Sequence, residues 1–136
     1  MPYQPKRQPL DPCPVEAVLE IVSGKWKARI LYLLSQDAHT FAELRHSLPG
    51  IKQQVLATQL KALCRDGIVS RLKTLAGAHS YSLYSLTKEG ESLVSVLQSV
   101  AAWGENRLKV RGQEWQPPLA KHLLAPAGGA YRRCPQ

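Results

Sequence analysis

The feature that most restricts how this chain can fold is a change of apolar period at Asp66-Gly67. Upstream, within "LPGIKQQVLATQLKALCRDGIVSR", residues 48–71, Val55, Leu56, Leu60 and Leu63 recur at the spacing that gathers side chains on one face of a helix. They predict a helix over residues 52–66. Downstream, "IVSRLKTL" and, past Ala76-Gly77-Ala78, "SYSLYSLT" alternate instead. Tyr81, Leu83 and Ser85 fall on one face of the second segment and Ser82, Tyr84 and Leu86 on the other, which predicts a β-hairpin. The helical period then returns in "KEGESLVSVLQSVAAWGENRL", where Leu93, Leu97, Val100 and Trp103 carry it and Thr87 and Gly90 flank its start. A chain that changes period twice in this way must mount a small sheet between helices.

Three further helices are expected ahead of that unit. A first begins at Cys13, because Pro14 is tolerated in a first turn whose N–H has no helical partner. Val15, Val18, Leu19 and Val22 form its apolar stripe, and Gly24 ends or bends it. "KWKARILYLLSQ" brings Trp26, Ile30, Leu33 and Leu34 to one face of a second, with Lys25, Lys27 and Arg29 left wet. Trp26 reads as an anchor between these two helices, or as the aromatic floor of an effector pocket. In "HTFAELRHSLPG", Thr40 and Glu43 have capping-box spacing and Pro49-Gly50 closes a short third helix. Four helices, two strands and a long helix make a winged helix-turn-helix, mainly α with a small β-hairpin. Residues 1–12, with four prolines, are expected to form a flexible arm, 13–110 the winged domain, and 111–136 a Pro- and Gly-containing tail ordered only for a short turn near Leu119 to Leu124.

The polar residues of the fourth helix then need a reason. Gln53, Gln54, Thr58 and Gln59 are uncharged donor-acceptor groups of the kind that read base edges in a major groove, Gln matching adenine and Thr meeting a methyl or a hydrogen-bonding group. Lys52, Lys61, Arg65, Arg71 and Lys73 surround them as candidate phosphate contacts. The plainer reading is that glutamines are good helix formers on a wet face. Charge placement favours the first reading: between Arg45 and Lys73 six Lys and Arg stand against Asp66 alone, in a chain of formal charge +8. That excess favours an anionic partner such as nucleic acid or an acidic membrane surface, and the reading unit points to double-stranded DNA.

Other classes are disfavoured. No nucleophile elbow, phosphate loop or paired-carboxylate context supports an enzyme. Cys13, Cys64 and Cys134 are few and far apart, and His39, His46, His79 and His122 lack close ligand spacing, so no metal or cofactor is expected. Met1 leads into Pro2 and a polar run, and no apolar run approaches the roughly 20 residues of a membrane span. A cytoplasmic protein without membrane contact is expected.

The ordered set of segments resembles the HxlR-type family of bacterial winged-helix transcription regulators, related in fold to the MarR regulators. "CPVEAVLEIVSGKWKARILYLL" is similar to the family's opening signature, with its Cys-Pro start and Gly-Lys-Trp turn. "FAELRHSLPGIKQQVLATQLKALCRDGIVSR", "YSLTKEGESLVSVL" and Trp103-Gly104 continue the resemblance, over about residues 13–108. The wing departs from it, since "LAGAHS" stands where the family usually carries a Pro-Pro or similar turn. The resemblance implies a homodimer on an inverted-repeat operator and, in some members, sensing of electrophiles or oxidants through the cysteine at the position of Cys13. A helix N-terminus favours the thiolate, which supports that role, whereas a small residue in a cap region is the simpler account of Cys13. Cys64 and Cys134 fall outside the sensing pattern. The expected dimer seam comprises Val15, Val18 and Val22 of the first helix and Leu93, Val96, Val100 and Trp103 of the last. The competing function is a winged-helix protein-interaction module without specific DNA readout, which would lack the base-facing polar groups and basic flanks seen here.

Overall fold

The structure, a computed structural model, describes residues 12–116. The expected arm before Pro12, the turn at Leu119 to Leu124 and Cys134 lie outside the described residues. Five helices and three strands follow in the order α1 (Pro14–Val22), α2 (Lys27–Gln36), β1 (His39–Thr40), α3 (Phe41–Ser47), α4 (Gln53–Arg65), β2 (Val69–Ala76), β3 (His79–Leu86) and α5 (Lys88–Val110).

Local chemistry places most of these boundaries where the sequence puts them. Cys13 is the extended N-cap of α1 with Pro14 in its first turn. At α3 the Thr40 N-cap forms, its Oγ1 accepting the Glu43 N–H at 3.2 Å. α5 opens on the same device, Thr87 Oγ1 accepting the Gly90 N–H at 3.0 Å.

The sheet has one strand more than the expected hairpin. β1 pairs His39 with Tyr84 and Thr40 with Leu83, so the antiparallel order is β1-β3-β2 and β3 lies in the middle. Two residues are too few to show an alternation, which is why the sequence pattern does not reveal β1. β2 and β3 pair in register from Val69 opposite Leu86 to Ala76 opposite His79, joined by Gly77-Ala78.

The core is almost wholly aliphatic. Ile30, Leu31, Leu33 and Leu34 of α2 meet Leu44, Leu48, Ile51, the α4 stripe Leu56, Leu60 and Leu63, and then Ile68, Val69, Tyr84 and Leu93. Each such aliphatic burial contributes roughly 1.5–3 kcal/mol before entropy is counted. α1 contributes no buried residue: Val18, Ile21 and Val22 pack partly on the core, while Val15 and Leu19 stay exposed.

One junction ties α4, the hairpin and α5 together. α4 ends in a paired-bond C-cap, with Ile68 N–H donating to the Leu63 carbonyl at 3.0 Å and Gly67 N–H to Cys64 at 3.1 Å. Gly67 takes φ 73°, a left-handed conformation that a Cβ would strain. The Ile68 carbonyl then accepts the Thr87 N–H at 3.0 Å, and Thr87 Oγ1 donates to the Gly67 carbonyl at 2.6 Å. Gly90 comes so close that a Cβ there would sit 2.2 Å from the Ile68 oxygen. The hairpin is therefore mounted at a set angle to α4.

Candidate nucleic-acid interface

Burying Leu56, Leu60 and Leu63 turns the opposite side of α4 to the outside, and Gln54, Thr58, Lys61 and Arg65 occupy it, all exposed. Lys52, the N-cap, and Gln53, the first helical residue, are also exposed, whereas Gln59 lies on the flank and is half-buried. Thr58 Oγ1 donates to the Gln54 carbonyl at 2.9 Å, a bond back along the helix that leaves the oxygen lone pairs and the methyl for an outside partner. Arg65 Nε lies 3.7 Å from Asp66 Oδ1, but its side chain is 76% exposed, so the pair is worth little.

The pairing register sets Arg71 beside Tyr84 and Lys73 beside Ser82, on the sheet face that turns toward α4. Arg71 Nε donates to Ser82 Oγ at 2.9 Å, which fixes the guanidinium against the wing. Between helix and hairpin runs an open cleft of about 1070 Å³, whose walls include Gln53, Lys61, Cys64, Arg71 and Tyr84. Cations come from both walls and, among the described residues, no carboxylate lines it, so the cleft favours anions. Deeper in, burial pushes the Cys64 thiol and the Tyr84 phenol above their ordinary pKa ranges, and the nearby Arg71 charge opposes both shifts.

The structure thus brings the α4 and β2 candidates onto one side of the molecule. The sequence reading missed one member of this surface. Arg45, near the end of α3, donates from Nη1 to the Gln53 Oε1 at 3.4 Å. Its only sequence signal is a place in the basic run eight residues before Gln53, and a turn intervenes.

Away from this surface, Trp26 is half-buried against the core, with Lys25 Nζ 4.9 Å and Arg29 Cζ 5.7 Å from its ring centroid. Two of the cations expected to remain wet therefore lie over an aromatic face. Tyr84 is a core residue, and Tyr81 is exposed. Trp115, beyond α5, meets Tyr32 edge-on at 5.7 Å, a contact with no sequence signal.

Of the residues expected at a dimer seam, Leu93 is instead part of the protomer's own core at 9% exposure, because it lies on the inner side of α5. Val18 and Val22 are partly taken up in the same way. Val96 (58%), Val100 (59%) and Trp103 (71%) remain open on α5, and Val15 and Leu19 on α1. Cys13 is half-buried at the start of α1. Among the described residues no His, Cys, Asp or Glu cluster is arranged to hold a metal ion, and no helix is long and apolar enough to cross a membrane.

The profile of the HxlR-like helix-turn-helix family matches residues 21–111. YdeP of Bacillus subtilis (strain 168), an uncharacterized HTH-type transcriptional regulator, is 40% identical over 93 residues, covering 68% of this chain and 72% of YdeP. The redox regulator HypR in its reduced form is 34% identical with a TM-score of 0.68, covering 74% of this chain and 98% of HypR. Its oxidised form is 36% identical with a TM-score of 0.63, covering 69% and 96%. Diamide-treated YodB from B. subtilis is 30% identical with a TM-score of 0.61, covering 69% and 93%.

Proposed function

The chain belongs to the HxlR-like helix-turn-helix family and is a DNA-binding transcriptional regulator of the winged-helix type, not an enzyme; from that premise we propose that it acts as a homodimer reading an inverted-repeat operator. The observation that carries this reading is the polar, carboxylate-free outer face of α4. There Gln54, Thr58 and Lys61 stand exposed opposite three buried leucines, with Arg71 and Lys73 of the wing alongside. Gln53, Gln54, Thr58 and the half-buried Gln59 read base edges, while Lys52, Lys61, Arg65, Arg71 and Lys73 neutralise phosphates. Exposed Val15, Val96, Val100 and Trp103 support the dimer, since they form apolar surface on two helices that the protomer leaves uncovered. Such a regulator works where bacterial DNA is, in the cytoplasm.

Selection of randomised duplexes by the purified protein, read by sequencing, tests the reading. The expected product is two half-sites in inverted orientation, their centres about one helical turn or 34 Å apart. A selected pool no different from the input sinks specific readout and favours the protein-interaction alternative.

A second observation favours a redox or electrophile response through Cys13. The residue caps α1, the helix that leaves Val15 and Leu19 open, so an adduct there presses on the proposed seam. Cys64, its competitor on α4, is held in the protonated and less reactive form by burial. HypR, named a redox regulator, and YodB, solved after diamide treatment, are the relatives that support this part. Operator binding titrated with diamide, in the parent and in Cys13→Ser, Cys64→Ser and Cys134→Ser, decides it. Only Cys13→Ser is expected to lose the response; a Cys13→Ser protein that responds like the parent removes the switch.

A further inference from the structure

We propose that the cleft between α4 and the wing is a binding site for a small carboxylate with an apolar body, held by the Arg71 guanidinium and the Tyr84 phenol, and that such a ligand and DNA exclude one another there. The site stands on the chemistry of the cleft itself. The exclusion rests on the DNA-reading role proposed above, because both occupants need Lys61 and Arg71.

The deepest polar group of the cleft has no partner. Tyr84 is 7% exposed and lines both this cleft and an adjoining hollow of about 380 Å³, yet its hydroxyl makes no hydrogen bond among the described residues. A phenol so buried ordinarily finds one. Its oxygen is not sealed from the outside, so an occupant can reach it. Burial also raises its pKa, so it meets that occupant as a donor. Arg71 borders the same two hollows and is the second anchor. Its Nε is engaged by Ser82 Oγ at 2.9 Å, which leaves the paired Nη groups as a fork whose spacing matches the two oxygens of a carboxylate.

Shape and polarity narrow the occupant. Lys61 and Arg71, with no carboxylate lining the cleft among the described residues, call for an anion. The wall behind them is apolar: Phe41 packs partly on the core, Val69 is 3% exposed, and the Tyr84 ring closes the space between. A DNA phosphate keeps its water and stays at the rim, so it leaves that wall bare. An apolar body carried by the same anion covers it. The cleft, about 1070 Å³, is close to the upper end of small-molecule sites, which run from about 300 to 1,000 Å³. Its mouth includes Gln53 and Gln54 of the α4 reading face, so a seated ligand takes ground that DNA requires.

Binding is measured first without DNA, by amide NMR of the isotope-labelled protein, with benzoate and cyclohexanecarboxylate as probes and benzamide, acetate and inorganic phosphate as controls. Both probes are expected to half-saturate the parent at or below about 1 mM, with the largest shifts at Phe41, Val69, Arg71 and Tyr84. The controls are expected to bind about tenfold more weakly or less, each lacking either the charge or the apolar body. Tyr84→Phe, which keeps the ring in the core, is expected to weaken the probes about fivefold, the equivalent of one hydrogen bond, and Arg71→Ala about tenfold or more. Operator binding is then titrated with each probe; at about ten times the half-saturating concentration, mutual exclusion lowers the operator affinity of the parent about elevenfold. Benzamide equal to benzoate makes the cleft a merely apolar hollow, and acetate or phosphate equal to benzoate makes it a seat for any anion, the DNA backbone included; either result overturns the site. A Tyr84→Phe or Arg71→Ala protein that binds the probes as the parent does overturns it as well. Bound probe with operator affinity unchanged overturns the exclusion. A parent that selects an operator but binds neither probe overturns the site and leaves the regulator reading standing, whereas one that binds the probes but no duplex keeps the site and removes that reading together with the exclusion.

Discussion

Thr58 and Arg71 mark the two kinds of contact expected of this surface. Thr58 has spent its proton on the Gln54 carbonyl, but its oxygen and methyl stay on the exposed side of α4. Thr58→Ala, and equally Gln54→Ala, is expected to reduce discrimination between operator and scrambled duplex by about 1–3 kcal/mol. Arg71→Ala or Lys73→Ala is expected to weaken binding to both duplexes alike and to lower the salt slope by roughly one unit. Titrations at several salt concentrations check both; a slope unchanged by either wing substitution places those charges away from phosphate. Cys64 and Tyr84 carry a prediction of another kind. Burial raises both pKa values, so the folded protein binds these protons more tightly than the unfolded chain does. Their contribution is complete below the unfolded-state pKa values and is lost as pH climbs through the folded ones. The urea midpoint is thus expected to fall on the alkaline side and to fall less in Cys64→Ala, whereas equal falls in parent and variant rule the thiol out.

The start of α5 shows what one absent side chain does for an element. Alanine is worth about 1 kcal/mol more than glycine in a helix interior, so propensity alone favours Gly90→Ala. The obstacle is the Ile68 carbonyl, which a Cβ would meet at 2.2 Å and which is held in place by the Thr87 N–H. Backbone so bonded has nowhere to retreat, and overpacking of this order costs about 1–3 kcal/mol net of small relaxations. Gly90→Ala is expected to lower stability in urea unfolding. A neutral or stabilised variant shows that α5 can lift off the hairpin base, and with it that the angle between wing and α4 is soft.

For the molecule as a whole the decisive surface is apolar. Trp103, Val100 and Val96 on α5, with Val15 and Leu19 on α1, expose more hydrocarbon on two helices than a monomer needs, while α2 and α4 close the core without them. Sedimentation at micromolar concentration is expected to report about twice 15.1 kDa. Trp103→Glu is expected to halve that mass with the helical signal intact, since the side chain contributes little to the protomer's own core, and to cost most of the operator affinity. A monomeric parent that holds a half-site tightly rejects the dimer arrangement.

The apolar periods and cap residues were enough for the winged helix-turn-helix, because the spacing of Leu56, Leu60 and Leu63 states which face of α4 is buried and the alternation over 81–86 states a strand, without saying which of its faces the core takes. Thr40 and Thr87 announced their helices through bonds that reach only three residues along the chain. The exposed positions of Gln54, Thr58 and Lys61 followed from the same arithmetic. What depended on tertiary packing came out differently. β1 exists only because β3 offers its edge to two residues. Leu93 went to the core, and not to a seam, because the period that gathers apolar residues on α5 does not say which of them the rest of the chain will cover. Gln53 meets Arg45 across a turn, eight positions away. Local spacing determines a residue's own face; which neighbour occupies that face is decided by where distant elements dock.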